Sequence, residues 1–177
     1  PSQRMKVGAE FTWPMAPGKD GGEVDLRVFP AVERSEDFTA YLVTGKGEWA
    51  WMTAVNPRRR LLCGYLWRAK DFPWLGDWEM NYDREAKPWS CRTLTRGLEF
   101  GLSPFAHGRD GMRSLGRLKD VPTLGVIGPH ARRTARFYMF LAEVSENCAG
   151  VEKVERKKES ISVRLRGTGE TIVLSCK

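Results

Sequence analysis

Residues 64–105 read GYLWRAKDFPWLGDWEMNYDREAKPWSCRTLTRGLEFGLSPF. This stretch holds four of the seven tryptophans, and apolar and polar residues alternate within it in short segments. Because successive side chains of a β-strand point to opposite faces, the alternation predicts strands at 61–67, 78–82 and 95–102. Proline and glycine between these segments predict loops at 71–76 and 84–92. The stretch indicates neighbouring antiparallel strands, and we expect the rest of the chain to be organised around them.

The same period-two pattern extends through the flanking sequence. It predicts strands at 24–28, 38–43, 49–54, 151–154, 161–165 and 171–175. Residues 132–144 fit either an amphipathic helix or a long strand, and β propensity favours the strand. Residues 108–119 favour a short helix, whereas residues 1–22, with three prolines and four glycines, favour an extended lead-in. About nine short strands with scarcely any helix predict an all-β fold, an antiparallel β-sandwich. A chain of 177 residues fits a single domain, residues 1–177.

Composition limits the classes of partner. The net charge of +7 and the pI of about 9.4 admit nucleic acid or an anionic surface, but the basic residues are spread along the chain and make nucleic acid the less favoured partner.

The four cysteines have no zinc-site spacing, so we expect no metal and, most simply, free thiols, with two disulfides as the alternative. No apolar run approaches the ~20 residues of a membrane helix, and no signal-peptide pattern is present. We therefore expect no membrane association and a cytoplasmic location, while a start at Pro1 leaves an upstream signal open.

The aromatic and charged residues of 64–105 suit a carbohydrate site. Sugars present apolar C–H faces and polar edges together, so flat rings beside hydrogen-bonding groups are what a sugar cleft requires. The alternative is a place in the hydrophobic core for each ring and a solvated strand face for each charged group. The candidate substrate-binding residues are Trp67, Trp74, Trp78, Glu79, Asn81, Trp89 and Arg96. Arg96 is a candidate either to neutralise Glu99 or to bind an anionic group of a sugar.

Several motifs carry a resemblance to a known family. They are Asn56-Pro57, GYLW at 64–67, DFPWL at 71–75, Trp78-Glu79, Pro88-Trp89 and RGLEFGLSPF at 96–105. Together they resemble the C-terminal half of bacterial proteins in the galactose mutarotase-like, or aldose 1-epimerase-related, superfamily, most strongly over 24–104. The resemblance implies a β-supersandwich, in which two large antiparallel sheets pack face to face and a sugar cleft lies on the concave sheet.

The resemblance also implies an activity and its residues. In the active relatives a glutamate takes the proton from the anomeric hydroxyl and a histidine protonates the ring oxygen, with no metal or cofactor. Glu99 is the candidate base. The histidine of the relatives lies upstream of the glutamate, whereas His107 and His130 both follow Glu99 in this chain. Family members are about twice this length, so we expect the chain to form a homodimer or to associate with a missing N-terminal half.

A second interpretation is a basic β-domain that binds nucleic acid or another acidic polymer through arginines, lysines and exposed aromatic rings. Its candidate residues are Arg58, Arg59, Arg60, Arg113, Arg117, Lys119, Arg132, Arg133 and Arg136. Such binding would weaken steeply with added salt, whereas binding of a neutral sugar would respond little. The carbohydrate interpretation is favoured because the tryptophans cluster with carboxylates and not with the arginine-rich segment 109–136.

Overall fold

A computed structural model describes residues 3–29, 34–43 and 48–176. The fold is mostly β and antiparallel, which confirms the all-β prediction. In chain order the elements are β1 (Met15–Pro17), β2 (Glu23–Asp25), β3 (Ser35–Leu42), β4 (Trp49–Asn56), a 3₁₀ turn (Pro57–Arg59), β5 (Leu61–Arg68), β6 (Trp74–Asn81), β7 (Leu94–Gly101), α1 (Gly108–Leu115), β8 (Arg117–Leu118), β9 (Val121–Pro122), β10 (Phe137–Glu143), β11 (Gly150–Arg156), β12 (Ser160–Arg166) and β13 (Thr171–Ser175). No helix in these ranges is long and apolar enough to cross a bilayer.

The contacts divide the chain into two compact units. The first unit comprises Pro1–Leu42 and Trp74–Leu124, and the second comprises Val43–Pro73 and Gly125–Lys177. Each unit therefore combines two segments that are separated in sequence.

The first unit is built on a three-stranded antiparallel sheet in the order β3-β6-β7. The register places Asp37 opposite Glu79, and Glu79 opposite Arg96, so charged residues from all three strands share one face. Two small hairpins, β1-β2 and β8-β9, and the helix α1 complete this unit among the described residues.

The second unit is a small sandwich of two three-stranded sheets, β10-β5-β4 and β11-β12-β13. Alternate residues of both sheets point inward and form one hydrophobic core, as the alternating sequence predicts. The buried members of this core are Leu62, Leu66, Phe140, Val144, Cys148, Val151, Val154, Ile161, Val163 and Leu165. The four cysteines of the chain, Cys63, Cys91, Cys148 and Cys176, are free thiols.

Several element boundaries differ from the sequence prediction. The loop predicted at 71–76 is wrong in its second half, because β6 begins at Trp74 and pairs with both β3 and β7 through Gly76. The Pro73 carbonyl accepts the Val43 amide at 2.9 Å, so hydrogen bonding continues to the residue just before the strand. The turn after β4 is a 3₁₀ turn that ends at Arg60 with a positive φ of 53°.

The predicted lead-in also contains ordered structure. Among residues 3–22, β1 pairs with β2, and Met5 forms an isolated bridge with Gly18. Arg4 in this segment is only 9% exposed. The segment is thus held by tertiary contacts, which its proline and glycine content does not reveal.

Gly64 in β5 lies where the hydrophobic core leaves no room for a side chain. The Phe140 ring of β10 lies against it, and a Cβ built on Gly64 would come within 3.0 Å of three ring atoms. The ring fills the space that any larger residue would need, and this explains a glycine inside a paired strand.

We expect Gly64→Ala to lower the free energy of unfolding by about 1–3 kcal/mol, because the added methyl must displace the buried Phe140 ring. Urea unfolding followed by circular dichroism measures the change. Gly128→Ala is the matched control in the same unit, since nothing lies within 4 Å of a Cβ at that position. Equal destabilisation by the two variants would contradict this account of Gly64.

Candidate functional site

Strand alternation separates the predicted site residues onto two faces of the β3-β6-β7 sheet. Glu79, Asn81 and Arg96 lie on one face, together with Asp37 and Asp77 from the same strands. Trp78 and Glu99 lie on the other, because their positions differ from those of Glu79 and Arg96 by an odd number of residues. We call these the ionic face and the aromatic face.

The ionic face is buried, and Arg4 from the N-terminal segment lies at its centre. The Arg4 Nε donates to Asp37 Oδ2 at 2.6 Å, and its backbone amide donates to Asp37 Oδ1 at 3.1 Å. Its Nη2 donates to Glu79 Oε2. Asp37 and Glu79 are each 3% exposed, so this one guanidinium pairs two buried carboxylates from neighbouring strands.

Arg96 supplies the second cation of the ionic face. Its guanidinium binds Asp77 in a bidentate manner, with Nε–Oδ1 and Nη2–Oδ2 distances of 2.8 and 2.5 Å. The Nη2 also donates to the Leu26 carbonyl at 2.7 Å and lies 3.5 Å from Glu79 Oε1. The expectation that Arg96 neutralises Glu99 is therefore not met, since the two side chains leave opposite faces of the sheet.

The buried charges affect a neighbouring tyrosine. Burial, followed by the negative charge of Asp77, raises the pKa of Tyr41 well above its ordinary value. The Tyr41 ring makes edge contacts with Phe11 and Trp13, at centroid distances of 6.2 and 5.7 Å. Residues of the N-terminal segment thus cover this part of the ionic face.

The aromatic face carries two tryptophans that remain partly exposed. Trp78 and Trp89 meet edge to face, with ring centroids 5.3 Å apart and planes inclined by 72°. The Arg84 guanidinium lies 5.7 Å from the Trp78 ring and 5.5 Å from the Trp89 ring. Because the two planes are steeply inclined, a flat ligand can stack on one ring while the other forms a side wall.

Glu36 fixes the orientation of this aromatic pair. Its carboxylate accepts the Trp78 indole N–H at 3.3 Å and is paired with Arg84 through both oxygens. The indole nitrogen and the guanidinium are both held by one carboxylate, so the Trp78 ring has a defined position on the sheet.

Two glycines allow side chains to lie flat on the aromatic face. A Cβ at Gly76 would come 2.8 Å from the Phe38 ring, and a Cβ at Gly97 would come 2.9 Å from Glu99 Oε1 and 3.3 Å from the Trp78 ring. The space above Gly97 is therefore occupied by the Glu99 carboxylate and the Trp78 edge. Phe38 is 39% exposed, and Glu99 is also exposed, so this surface combines rings with an accessible carboxylate.

Two of the predicted tryptophans are buried, Trp67 in the second unit and Trp74 at the start of β6 on the aromatic face. Trp67 belongs to the second unit, where it is fully buried and donates its indole N–H to the Phe72 carbonyl. Trp74 is 2% exposed and donates to the Pro122 carbonyl at 3.3 Å. Neither ring offers a face for stacking. The His107 ring stacks on Phe105, and no group of three His, Cys, Asp or Glu residues suited to a metal occurs in the described part of the chain.

Sequence reasoning missed Arg4, Asp37, Glu36, Phe38 and Arg84. The alternation Glu36-Asp37-Phe38 in β3 could have assigned Glu36 and Phe38 to one face and Asp37 to the other. The sequence around Arg4 carries no signal of its role, because its partners Asp37 and Glu79 are 33 and 75 residues away in sequence.

Arg4→Met should lower the free energy of unfolding by about 3–5 kcal/mol, because it leaves Asp37 and Glu79 buried without their cation. Chemical denaturation followed by fluorescence measures the loss. Arg27→Met serves as the control, since Arg27 pairs with Asp25 at the surface and its side chain is 50% exposed. We expect the control to unfold at the same denaturant concentration as the unmodified chain, and a similar loss in both variants would refute the role given to Arg4.

Comparison of the chain with models of protein families, with curated proteins and with solved structures gives no match. The galactose mutarotase-like resemblance therefore stays a prediction. The observations that bear on function are the geometry of the two faces and of the second unit.

Proposed function

We propose that the chain binds a carbohydrate on the aromatic face of the β3-β6-β7 sheet. The observation that carries this proposal is the partly exposed Trp78 ring, which is fixed by Glu36 and bordered by the exposed carboxylate of Glu99. A sugar can place an apolar C–H face on the indole and direct hydroxyl groups to the carboxylate.

The charges of this face favour a neutral sugar. Glu36 and Arg84 neutralise each other, whereas Glu99 forms no ion pair with a described residue. A phosphate or uronate bound beside the Trp78 ring would lie near the negative charge of Glu99, and that repulsion disfavours anionic sugars. Hydroxyl donors, by contrast, gain a charge-assisted hydrogen bond to the same carboxylate.

Glu99 is also the residue that we propose as a general base. In the interconversion of sugar anomers a base removes the proton of the anomeric hydroxyl, the C1–O5 bond breaks to leave an aldehyde, and the ring oxygen takes a proton from a solvent water. An accessible carboxylate beside a stacking ring has the chemistry for the first of these proton transfers. This makes the finer proposal an aldose 1-epimerase-like isomerase, in agreement with the family resemblance of the motif 96–105.

We expect Trp78→Ala to weaken hexose binding at least tenfold, because it removes the stacking surface.

Glu99→Gln should keep most of the binding but slow catalysed anomer interconversion by ~10²- to 10⁴-fold, since the amide keeps the shape and cannot accept the proton. Saturation-transfer NMR measures binding, and polarimetry of freshly dissolved hexoses measures the rate.

Trp13→Ala is the matched control for the stacking residue. Trp13 belongs to the same unit and is 48% exposed, but its ring contacts Tyr41, on the ionic face. Loss of sugar binding in Trp13→Ala equal to that in Trp78→Ala would contradict the proposed site. Binding without any acceleration by the unmodified chain would leave a sugar-binding protein and remove the isomerase.

We further propose that two copies of the chain associate along β10. This strand lies at one side of the β10-β5-β4 sheet, and three of its alternate residues, Phe137, Met139 and Leu141, are 53%, 63% and 59% exposed. A row of exposed apolar residues on an outer strand favours pairing with another strand.

Met139→Lys should shift the chain toward the monomer in sedimentation equilibrium, because a charge at this position opposes burial of the strand. Val126→Lys is the control, since Val126 is also in the second unit and is 87% exposed outside any strand. A monomeric unmodified chain at high concentration would refute association along β10.

A further inference from the structure

The net positive charge of the protein comes from one of its two units. The first unit contains 13 Lys and Arg against 14 Asp and Glu, whereas the second contains 16 against 8. The first unit is therefore nearly neutral, at −1, and the second carries +8. The aromatic face lies in the nearly neutral unit, so sugar binding on that face does not account for the positive charge of the second unit.

Part of this charge converges on a cavity within the second unit. The cavity has a volume of about 300 Å³, and two aromatic rings and five cationic side chains line it: Trp49, Arg68, Arg136, Tyr138, Arg156, Lys157 and Lys158. The lining comes from the start of β4, the end of β5, the start of β10 and the turn that joins β11 to β12. Residues from four parts of the sequence are thus brought to one concave surface.

Two of the arginines are held against the rings. The Arg68 guanidinium lies 4.7 Å from the Trp49 ring centroid and is paired with Glu48. The Arg156 guanidinium lies 5.0 Å from the Tyr138 ring centroid, and its Nη1 donates to the Ser160 carbonyl at 3.3 Å. Trp49 and Tyr138 are themselves neighbours, with centroids 5.7 Å apart. The rings and these arginines therefore form a preorganised wall.

The other three cations are exposed side chains without an ion-pair partner among the described residues, although the negative charge of Glu155 acts on Lys157. Arg136, Lys157 and Lys158 form no ion pair with any described residue, and Glu48 is the one carboxylate paired with a lining residue in that part of the chain. Like charges that are gathered in one concavity repel each other, and a bound polyanion relieves that repulsion. The lining cations therefore favour a ligand with several negative charges, and the Trp49 and Tyr138 rings favour one with a flat apolar part.

We propose that this cavity binds a nucleoside di- or triphosphate, with the phosphates among Arg136, Lys157 and Lys158 and the base or ribose against Trp49 and Tyr138. The cavity volume is at the lower end of the range for small-ligand sites, so it suits a ligand of this size that remains partly open to solvent. The lining cations converge on one cavity, and this arrangement favours a compact ligand over a polymer that needs an extended basic track.

Isothermal titration of the full chain with ATP, tripolyphosphate and adenosine tests the proposal. We expect ATP to bind, tripolyphosphate to bind more weakly because it lacks the ring, and adenosine to show no binding because it lacks the charge. Binding of ATP should weaken as salt is raised, since the lining cations are exposed. Absence of ATP binding at low salt would overturn the proposal, and equal affinity for ATP and tripolyphosphate would overturn its nucleoside part.

Charge-matched variants locate the site. Lys157→Gln/Lys158→Gln should weaken ATP binding about tenfold or more, because two charge-assisted contacts are lost. Lys70→Gln/Arg166→Gln removes the same charge from exposed positions of the same unit outside the cavity, and it should change the affinity less than twofold. An equal loss in the two double variants would assign the binding to overall charge and refute the cavity.

A titration with single-stranded oligonucleotides of increasing length separates the free ligand from a polymer. Affinity that rises with length and exceeds that for ATP more than tenfold would overturn the proposal of a small ligand. Circular dichroism of each variant establishes that it is folded. The sugar experiments on Trp78 and Glu99 concern the first unit, so failure of one proposal leaves the other intact.

Discussion

The contact of Arg4 with Asp37 and Glu79 is the interaction on which the first unit depends. Two adjacent strands present carboxylates on the same face, and burial of such groups is tolerated only when a cation satisfies them. Arg4 provides that cation from the N-terminal segment, and Arg96 provides the second from within the sheet. The segment must therefore lie over the ionic face, and the opposite face keeps its partly exposed tryptophan.

This arrangement departs from the usual relation between polarity and burial in a sheet, because the polar face is buried although Trp74 and Met80 on the aromatic face are buried as well. An alternating strand normally buries its apolar residues and exposes its polar ones. In β6, Asp77, Glu79 and Asn81 are buried, whereas Trp78 between them is partly exposed. Such a pattern favours a functional role for the exposed ring, because a tryptophan that served only the core would gain more free energy from complete burial.

Much of the fold could be predicted from the period-two alternation, and the site only in part. The alternation locates β3, β7 and the three C-terminal strands, and β propensity indicates β10, whereas the register between β6 and β7 places Trp78 and Glu99 on a common face. The alternation does not predict which face of the sheet is buried, because burial of the ionic face depends on Arg4, whose partners are distant in sequence. Trp67 and Trp74 were wrong as candidate substrate-binding residues for a similar reason, since both rings are buried by residues that the local pattern does not identify. The basic cavity could not be predicted for a related reason: the arginines and lysines are spread along the sequence, and only tertiary contacts bring five of them to one cavity.

The interleaving of the two units has a consequence for how the protein is made. The ribosome releases β4 and β5 early, but Phe140, which covers Gly64, follows Leu66 by more than seventy residues. At ordinary synthesis rates this interval lasts roughly 4–15 s. During that time the inward face of the β4-β5 hairpin, with Leu62 and Leu66, has none of its later partners from β10, β11 and β12. This hairpin thus presents apolar side chains to which a chaperone can bind during synthesis.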